Sequence, residues 1–170
     1  MEGQHTESWL NPSVSVRASP IHGRGLFAHD RLEPGEAVIR LGGEVLTDDE
    51  FAALHLATHN SLAIGDRLNL LLNDDDSPVV YGNHSCDANL WMADAVTLIA
   101  RRAILPGEEV TSDYALYTAD LPFELACHCG SAACRGRVTN DDWRRKGVQE
   151  RYAGHFSPFL NRRIESPDIP

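Results

Sequence analysis

The chain has 170 residues, enough for one domain with a hydrophobic core, and its hydrophobic (42%) and charged (24%) fractions are ordinary for a globular protein. The net charge of -10 argues against a nucleic-acid backbone as the main partner, since phosphate binding needs clustered Lys and Arg; it is compatible with a basic peptide, a cationic cofactor or solubility alone. Because no apolar run approaches the roughly 20 residues that cross a bilayer and no signal pattern opens the chain, we expect an intracellular, soluble protein (cytoplasmic or nuclear) without a membrane partner.

Short strands and tight turns are predicted along the first half of the chain. A lead-in over residues 1–12 precedes alternating valines that predict a first strand from residue 13. Thr47-Asp48-Asp49-Glu50 has the spacing of a capping box, which predicts a short helix to about His55, and residues 73–78 form a solvated loop. The other strands expected here are at residues 26–28, 37–41, 61–64 and 68–72, the last two flanking a Gly65-Asp66 hairpin turn.

Short strands are also predicted in the second half of the chain, and a helical segment is predicted after them. Residues 141–151 are polar and compatible with a helix, with Trp143 and Tyr152 as docking residues, and residues 156–164 are expected to pack on the surface. Many short strands with little helix predict a mostly β fold (a β-rich α+β class), and they are too short for a doubly wound sheet. The strands expected in this half are at residues 90–92, 96–100 and 109–114.

The four cysteines form a three-plus-one pattern that is typical of a structural zinc site. Cys86 stands alone in the middle of the chain, whereas Cys127, Cys129 and Cys134 are clustered downstream. Four thiolates are the right number for one closed tetrahedral zinc site, which leaves no open position for water. Disulfides are the rival interpretation, disfavoured because Cys127 and Cys129 are close in sequence and the compartment is expected to be reducing. His128 lies between two of these ligands and is an alternative to Cys86.

Four motifs that occur in one order along the chain carry a family resemblance. They are Gly23-Arg24-Gly25-Leu26-Phe27, Asn83-His84-Ser85-Cys86-Asp87-Ala88-Asn89, Gly107-Glu108-Glu109-Val110-Thr111-Ser112-Asp113-Tyr114 and Cys127-X-Cys129-X4-Cys134-Arg135-Gly136. In this order they resemble SET-domain protein-lysine methyltransferases, and the last resembles the family's post-SET zinc segment. The resemblance covers about residues 14–138. It implies a SET fold of small curved β-sheets around a pseudo-knot, with residues 83–89 threaded through a loop.

The resemblance also implies a division of the chain and a set of site residues. The segments would be a lead-in (1–12), a SET domain (13–118), a post-SET zinc segment (123–140) and a C-terminal helical tail (141–170). S-adenosyl-L-methionine would be the methyl donor, and a lysine of a protein or peptide, expected to be basic, would receive the methyl group. The implied cofactor-binding residues are Gly23, Arg24, Gly25, Leu26, Asn83, His84 and Tyr114, and the implied substrate-channel residues are Tyr81, Ser112 and Tyr117.

Tyr114 is the expected catalytic residue. Methyl transfer from a sulfonium to an amine is an in-line displacement, so alignment and desolvation carry most of the catalysis. A tyrosine hydroxyl and backbone carbonyl oxygens aimed at the methyl group would stabilise its partial positive charge without nucleophilic chemistry. A lysine amine has a pKa of about 10.4, and both apolar channel walls and a nearby sulfonium would lower it.

Three departures from the family pattern leave alternatives open. Ala88 stands where the family usually has proline, and Val80 stands where an arginine is common. Ser112 replaces the usual Phe or Tyr, which indicates either a roomier channel with higher methylation states or another aromatic, such as Tyr117, filling the gap. The alternative functions are a SET-like module that binds a cofactor or peptide without catalysis, and a methyltransferase that acts on a small amine.

Overall fold

The computed structural model describes residues 7–54, 60–72 and 77–166. Two short helices and a longer one lie in this part of the chain: Asp48–Ala53 (α1), Lys146–Arg151 (α2) and Pro158–Glu165 (α3). Three 3₁₀ turns lie at Pro78–Tyr81, Tyr114–Leu116 and Asp142–Arg144. The described strands are Trp9–Leu10 (β1), Val14–Ala18 (β2), Arg24–Ala28 (β3), Ala37–Arg40 (β4), Gly43–Thr47 (β5), Ser61–Gly65 (β6), Leu68–Leu72 (β7), Asn83–His84 (β8), Leu90–Met92 (β9), Thr97–Ala100 (β10), Glu109–Ser112 (β11), Glu124–Ala126 (β12) and Arg137–Thr139 (β13).

Several small sheets make up the fold. Two of them have four strands, in the orders β1-β4-β10-β9 and β2-β3-β11-β8. A three-stranded sheet, β5-β7-β6, is inserted between their strands in sequence, and β12 pairs with β13 near the C-terminus. The β8–β11 pair is parallel, with Asn83 opposite Thr111 and His84 opposite Ser112, so two of the sequence motifs lie side by side. The predicted mostly β fold of small sheets is confirmed.

A shared core lies between the sheets and the C-terminal helices. Leu26, Ile104, Tyr152 and Leu160 belong to it and are fully buried, although they come from opposite ends of the chain. Burial of these apolar side chains is the main force that holds the small sheets together, because each sheet must cover its apolar face with another element. Within the described residues, no helix combines the length and the apolarity needed to cross a membrane.

Several predicted elements are confirmed with small shifts in their bounds. The strands β6 and β7 flank the predicted hairpin turn, and Thr47 caps α1 with both bonds of a capping box to Glu50. The strand predicted to reach Tyr114 ends at Ser112, because the chain turns into a 3₁₀ turn there. The end of α1 predicted near His55 lies outside the described residues, as does most of the loop predicted at residues 73–78.

Several strands were not predicted, among them β1, β5, β12 and β13. Trp9–Leu10 pairs with β4, and Asn11 is buried, so the lead-in assigned to residues 1–12 is wrong for these positions. The strand β5 was not predicted either. Gly43 begins this strand along β7, where a Cβ atom would come within 2.0 Å of the Leu71 carbonyl oxygen. Glycine permits that close approach because it has no side chain.

The C-terminal tail packs into the core. Trp143 and Tyr152 are buried as predicted, but α3 also buries Phe159 and Leu160, so residues 156–164 do more than cover the surface. The hydroxyl of Tyr152 accepts a hydrogen bond from the Ala88 N–H at 3.2 Å. The Arg151 guanidinium donates to the Cys86 carbonyl oxygen, so the tail holds the central motif by its backbone.

Candidate active site and metal centre

A cavity of about 160 Å³ lies between the inserted sheet and the segment that follows β11. Its walls are mostly apolar, and among the described residues that line it none carries a charged side chain. An amine inside such a cavity would be favoured in its neutral form, because burial penalises the charged one. The apolar lining includes Ile39, Leu41, Leu62, Val79, Val80, Leu98, Leu121 and Phe123.

Hydroxyl groups, the Gly82 backbone and the side-chain amides of Asn60 and Asn69 provide the polar part of the lining. The Tyr114 hydroxyl donates to the Gly82 carbonyl oxygen at 2.9 Å, and the Ser112 and Tyr117 hydroxyls lie 2.7 Å apart. Burial raises the pKa of Tyr114 to about 12 and that of Tyr117 well above its usual value. Both phenols are therefore neutral at physiological pH, and the cavity offers oxygen dipoles rather than charges.

The backbone around Tyr114 is fixed at two points. The Asp113 carboxylate accepts a hydrogen bond from the Ala115 N–H at 3.1 Å and so caps the 3₁₀ turn that begins with Tyr114. The Tyr114 N–H itself donates to Nδ1 of His84 at 3.2 Å. The rings of His84 and Tyr114 also pack in a T-shaped arrangement, with their centroids 5.1 Å apart. These contacts set the direction of the Tyr114 side chain.

His84 is a buried neutral imidazole with two protein partners. Burial lowers the pKa of His84 to about 4, although the negative charge of the nearby Asp113 carboxylate raises this pKa. Because Nδ1 accepts from Tyr114, Nε2 carries the proton, and Nε2 lies 3.2 Å from Sγ of Cys86. The His84 side chain thus connects the candidate catalytic tyrosine with the cysteine cluster.

Asn83 supports the turn that precedes β3. Its side-chain amide donates to the carbonyl oxygens of His22 and Arg24 and to Oε1 of Glu109, at 3.2, 3.0 and 2.8 Å. A Cβ atom on Gly25 would lie 2.1 Å from the same Glu109 oxygen, so a larger residue at this position would have to displace the Glu109 side chain. The Glu109 carboxylate was not predicted as part of this region.

The structure separates the predicted site residues into two groups. Ser112, Tyr114 and Tyr117 line the cavity together, whereas Tyr81 lies outside the described lining. The Arg24 guanidinium instead lies over the Tyr81 ring, 4.2 Å from the ring centroid. It also donates a hydrogen bond to the Tyr81 hydroxyl at 3.0 Å. The remaining predicted cofactor residues also lie outside the cavity: Gly23 and Arg24 are exposed, and Gly25, Leu26, Asn83 and His84 are buried.

The four cysteines meet in one cluster, and their sulfur atoms all lie within 4.8 Å of one another. Sγ of Cys127 is 3.7 Å from Sγ of both Cys86 and Cys134. Four sulfurs at about 2.3 Å from one tetrahedral zinc ion would be about 3.8 Å apart, so the donor set fits this metal. All four are free thiols, which contradicts the disulfide alternative. His128 is exposed and outside the cluster, so Cys86 is the fourth member.

Three charged residues form a buried network whose role was not predicted, although Asp113 and Arg135 lie within the sequence motifs. Arg135 donates to both carboxylate oxygens of Asp113 at 2.7 Å and to Oδ2 of Asp142 at 2.7 Å. Asp113 and Asp142 are fully buried, and the Arg135 side chain is only 8% exposed. Charged residues are usually exposed, so composition does not predict a buried network of this kind. The position of Arg135 directly after the last cysteine was the only sequence signal for it.

Comparison with known proteins now places the chain in a family. The SET-domain family model matches residues 23–115. Over 79% of this chain, the sequence is 32% identical to human histone-lysine N-methyltransferase 2B. Over 72% of this chain, it is 33% identical to the histone-lysine N-methyltransferase trithorax of Drosophila virilis. These alignments span only 6% and 4% of the two relatives. The chain belongs to the SET-domain family, as the four motifs indicated.

The fold comparison agrees with this assignment. A chain in the crystal structure of an active polycomb repressive complex 2 in the basal state superposes with a TM-score of 0.51 and 24% identity. The match covers 59% of this chain and 15% of that one, and at this identity it supports the fold alone.

Proposed function

We propose that the chain is an S-adenosylmethionine-dependent methyltransferase that transfers methyl groups to a lysine side chain of a protein. The observation that carries this proposal is the uncharged cavity lined by the Tyr114 hydroxyl and the Gly82 carbonyl oxygen, which are hydrogen-bonded at 2.9 Å. Such a site holds an amine neutral and presents oxygens to a positively charged methyl group. Family membership and two relatives named histone-lysine N-methyltransferases support the same reaction.

The chain's own residues would act by desolvation and orientation. Apolar walls such as Leu62 and Phe123 exclude water and lower the pKa of the entering lysine from its usual value of about 10.4. The Tyr114 hydroxyl donates a hydrogen bond to the Gly82 carbonyl oxygen, so the lone pairs of the hydroxyl oxygen remain available to an electropositive group. Alignment of an amine with its reaction partner can contribute about 7–11 kcal/mol to the lowering of the barrier.

S-adenosylmethionine, the methyl donor of SET methyltransferases, would supply an activated methyl group on a sulfonium. The oxygen-rich, uncharged lining at Ser112, Tyr114 and Tyr117 fits a cationic donor. The backbone of residues 23–26 would hold the amino-acid end of the cofactor, and Asn83 and His84 would support that backbone. Because both of those side chains already have several protein partners, we assign them mainly to bracing the site.

Tyr117 is proposed to limit how many methyl groups the lysine receives. Its hydroxyl lies 2.7 Å from the Ser112 hydroxyl, so it occupies the space left by the absence of an aromatic residue at position 112. This favours the second of the two alternatives for Ser112, in which an aromatic residue from elsewhere narrows the channel.

The cysteine cluster is proposed to hold a structural Zn²⁺. A closed four-cysteine site leaves no open coordination position for catalysis, and metal binding there contributes directly to the free energy of folding. The ion would attach the post-SET segment, residues 123–140, to the SET domain at residues 13–118, and the helical tail from residue 141 would complete the core.

The substrate is proposed to be a basic protein segment. The chain has a net charge of -10, which favours a positively charged partner. Since relatives are named histone-lysine N-methyltransferases, a histone tail in a nuclear setting is the first candidate.

The composition of the chain allows an unusually clean test. Lys146 is the only lysine in the sequence, and its side chain is 89% exposed. The Lys146→Arg variant therefore has no lysine of its own and is expected to fold normally. It would be incubated with methyl-labelled S-adenosylmethionine and basic peptides that carry one lysine, beside matched peptides in which that lysine is arginine. Tyr114→Phe in the same background is the inactive control.

The proposal predicts label in the lysine peptides and histones, none in the arginine peptides, and almost none with the Tyr114→Phe variant. Label that appears only in an added pool of small amines would instead identify a small-amine methyltransferase. Cofactor binding by calorimetry without any turnover would identify a binding module. Either result would contradict the proposal.

A further inference from the structure

The geometry points to Arg135 as a positioning residue: the structure assigns it the task of holding the backbone on which Tyr114 stands. Asp113 directly precedes Tyr114 and is fully buried. The two terminal nitrogens of Arg135 donate to its two carboxylate oxygens, both at 2.7 Å. A bidentate pair of this kind fixes the orientation of the carboxylate as well as its position.

The orientation of the Asp113 carboxylate fixes the 3₁₀ turn that carries the Tyr114 side chain. Its Oδ1 atom also accepts from the Ala115 N–H at 3.1 Å, the bond that caps the 3₁₀ turn Tyr114–Leu116. One carboxylate oxygen is thus held from one side by the guanidinium and from the other by the turn. A rotation of the carboxylate would break the cap and change where the Tyr114 ring points.

Arg135 itself is held from the opposite side. Its Nε atom donates to Oδ2 of Asp142 at 2.7 Å, and the other oxygen of Asp142 lies 3.1 Å from Nε of Arg145. Asp142 is 2% exposed and begins the 3₁₀ turn of the C-terminal tail. Lysine, with a single ammonium group, cannot reproduce this planar arrangement of three donors between two carboxylates.

The backbone of the same residue touches the cysteine cluster. The Arg135 N–H donates to Sγ of Cys86 at 3.3 Å. Arg135 therefore contacts the metal centre through its main chain and, through its side chain, both the turn of Tyr114 and the tail. A metal ion held by the four cysteines would fix the backbone of Arg135, and so would couple metal binding to the geometry of Tyr114.

The test compares Arg135→Lys with Arg137→Lys. Arg137 lies two residues further along the same segment, but its side chain is 65% exposed and pairs with Glu124 on the surface, so it is a matched control. The chain has four tyrosines, and labelling with 3-fluorotyrosine gives one ¹⁹F resonance for each. The Tyr114 resonance is identified by its loss in Tyr114→Phe. This readout needs no substrate, so it remains informative even if the proposed lysine methylation is wrong.

For Arg135→Lys we expect bound zinc to stay at one ion per chain and the KM for peptide to change by less than about twofold, while kcat falls by at least about tenfold. We also expect the ¹⁹F resonance of Tyr114 to move or broaden while that of Tyr81 does not. Arg137→Lys should resemble the parent protein in all four measurements. A Tyr114 resonance that is unchanged in a zinc-loaded Arg135→Lys variant would overturn the inference, whatever happens to kcat.

A second variant decides the matter if Arg135→Lys loses zinc. Asp142→Asn removes one charge from the far side of Arg135 and leaves the bonds to Asp113 possible. It should shift the Tyr114 resonance in a zinc-loaded protein, and no shift there would overturn the inference. A shifted resonance in a protein that methylates nothing would support the positioning role and refute the proposed function, on which only the kcat expectation rests.

Discussion

The hydrogen bond between Tyr152 and Ala88 joins the C-terminal tail to the central motif, and removing it should have a measurable cost. The Tyr152 ring is fully buried, and its hydroxyl accepts from the Ala88 N–H at 3.2 Å. Tyr152→Phe keeps the ring in the core and deletes only the oxygen. Because Ala88 is 1% exposed, its N–H group would lose its partner without gaining water.

The size of the effect follows from this burial. Leaving one buried N–H group unsatisfied costs about 1–3 kcal/mol of unfolding free energy. For a chain of this length each kcal/mol corresponds to about 2–4 °C in Tm, so the metal-loaded Tyr152→Phe variant should melt about 2–12 °C lower. Tyr81→Phe is the matched control, since the Tyr81 hydroxyl accepts only an exposed bond from Arg24 and should change stability by less than about 0.5 kcal/mol.

A double-mutant cycle shows whether the two groups act through each other. Ala88→Pro removes the N–H donor, and proline is the residue that the family usually carries at this position. In the Ala88→Pro background, Tyr152→Phe should cost much less than in the parent, with a coupling of about 1 kcal/mol by urea unfolding. Purely additive effects, or a Tyr152→Phe variant as stable as the Tyr81→Phe control, would refute the reasoning.

The remaining predictions concern catalysis and the metal. Tyr114→Phe should lower kcat by about 10²-fold, measured with saturating peptide, because one preorganised dipole is lost. Tyr117→Phe should raise the share of dimethylated and trimethylated lysine in mass spectra, and a product pattern equal to that of the parent would contradict the role of its hydroxyl. The rate should rise from pH 7 to 10 as the substrate amine loses its proton, with no fall from ionisation of Tyr114, since burial raises the pKa of Tyr114 to about 12. Cys86→Ser should reduce bound zinc and lower Tm, whereas Ser131→Ala beside the cluster should retain the ion.

Local chemistry made part of the fold predictable. The capping box at Thr47 and the hairpin at Gly65-Asp66 depend on residues that are neighbours in sequence, and both are confirmed. The family assignment was equally accessible, because the motifs that carry it are short and contiguous. Tyr114, Ser112 and Tyr117 also lie within a few residues of one another, and the structure brings them to one cavity.

Contacts between distant segments could not be predicted in this way. Nothing in the neighbourhood of Asp113 indicates that Arg135 will pair with it, since that pair depends on where the cysteine cluster places the chain. The strand at Trp9–Leu10 exists only because β4 offers it an edge. A buried ion pair also violates the usual rule that charges face water, so composition gave no warning of it.

The order of the cysteines along the chain has a consequence for biosynthesis. Cys86 precedes Cys127, Cys129 and Cys134 in the sequence, so synthesis on the ribosome completes this set of four thiols only when Cys134 has been added. The complete four-cysteine site can bind a metal only after Cys134 has emerged from the ribosome. The hydrogen bonds that Arg135 and Tyr152 make to the central motif form after these residues have been added. Since a domain generally folds as a unit, the sheets reach their final packing only after these residues have been translated. A product truncated before Arg135 would lack the bonds that hold Asp113, the residue directly before Tyr114.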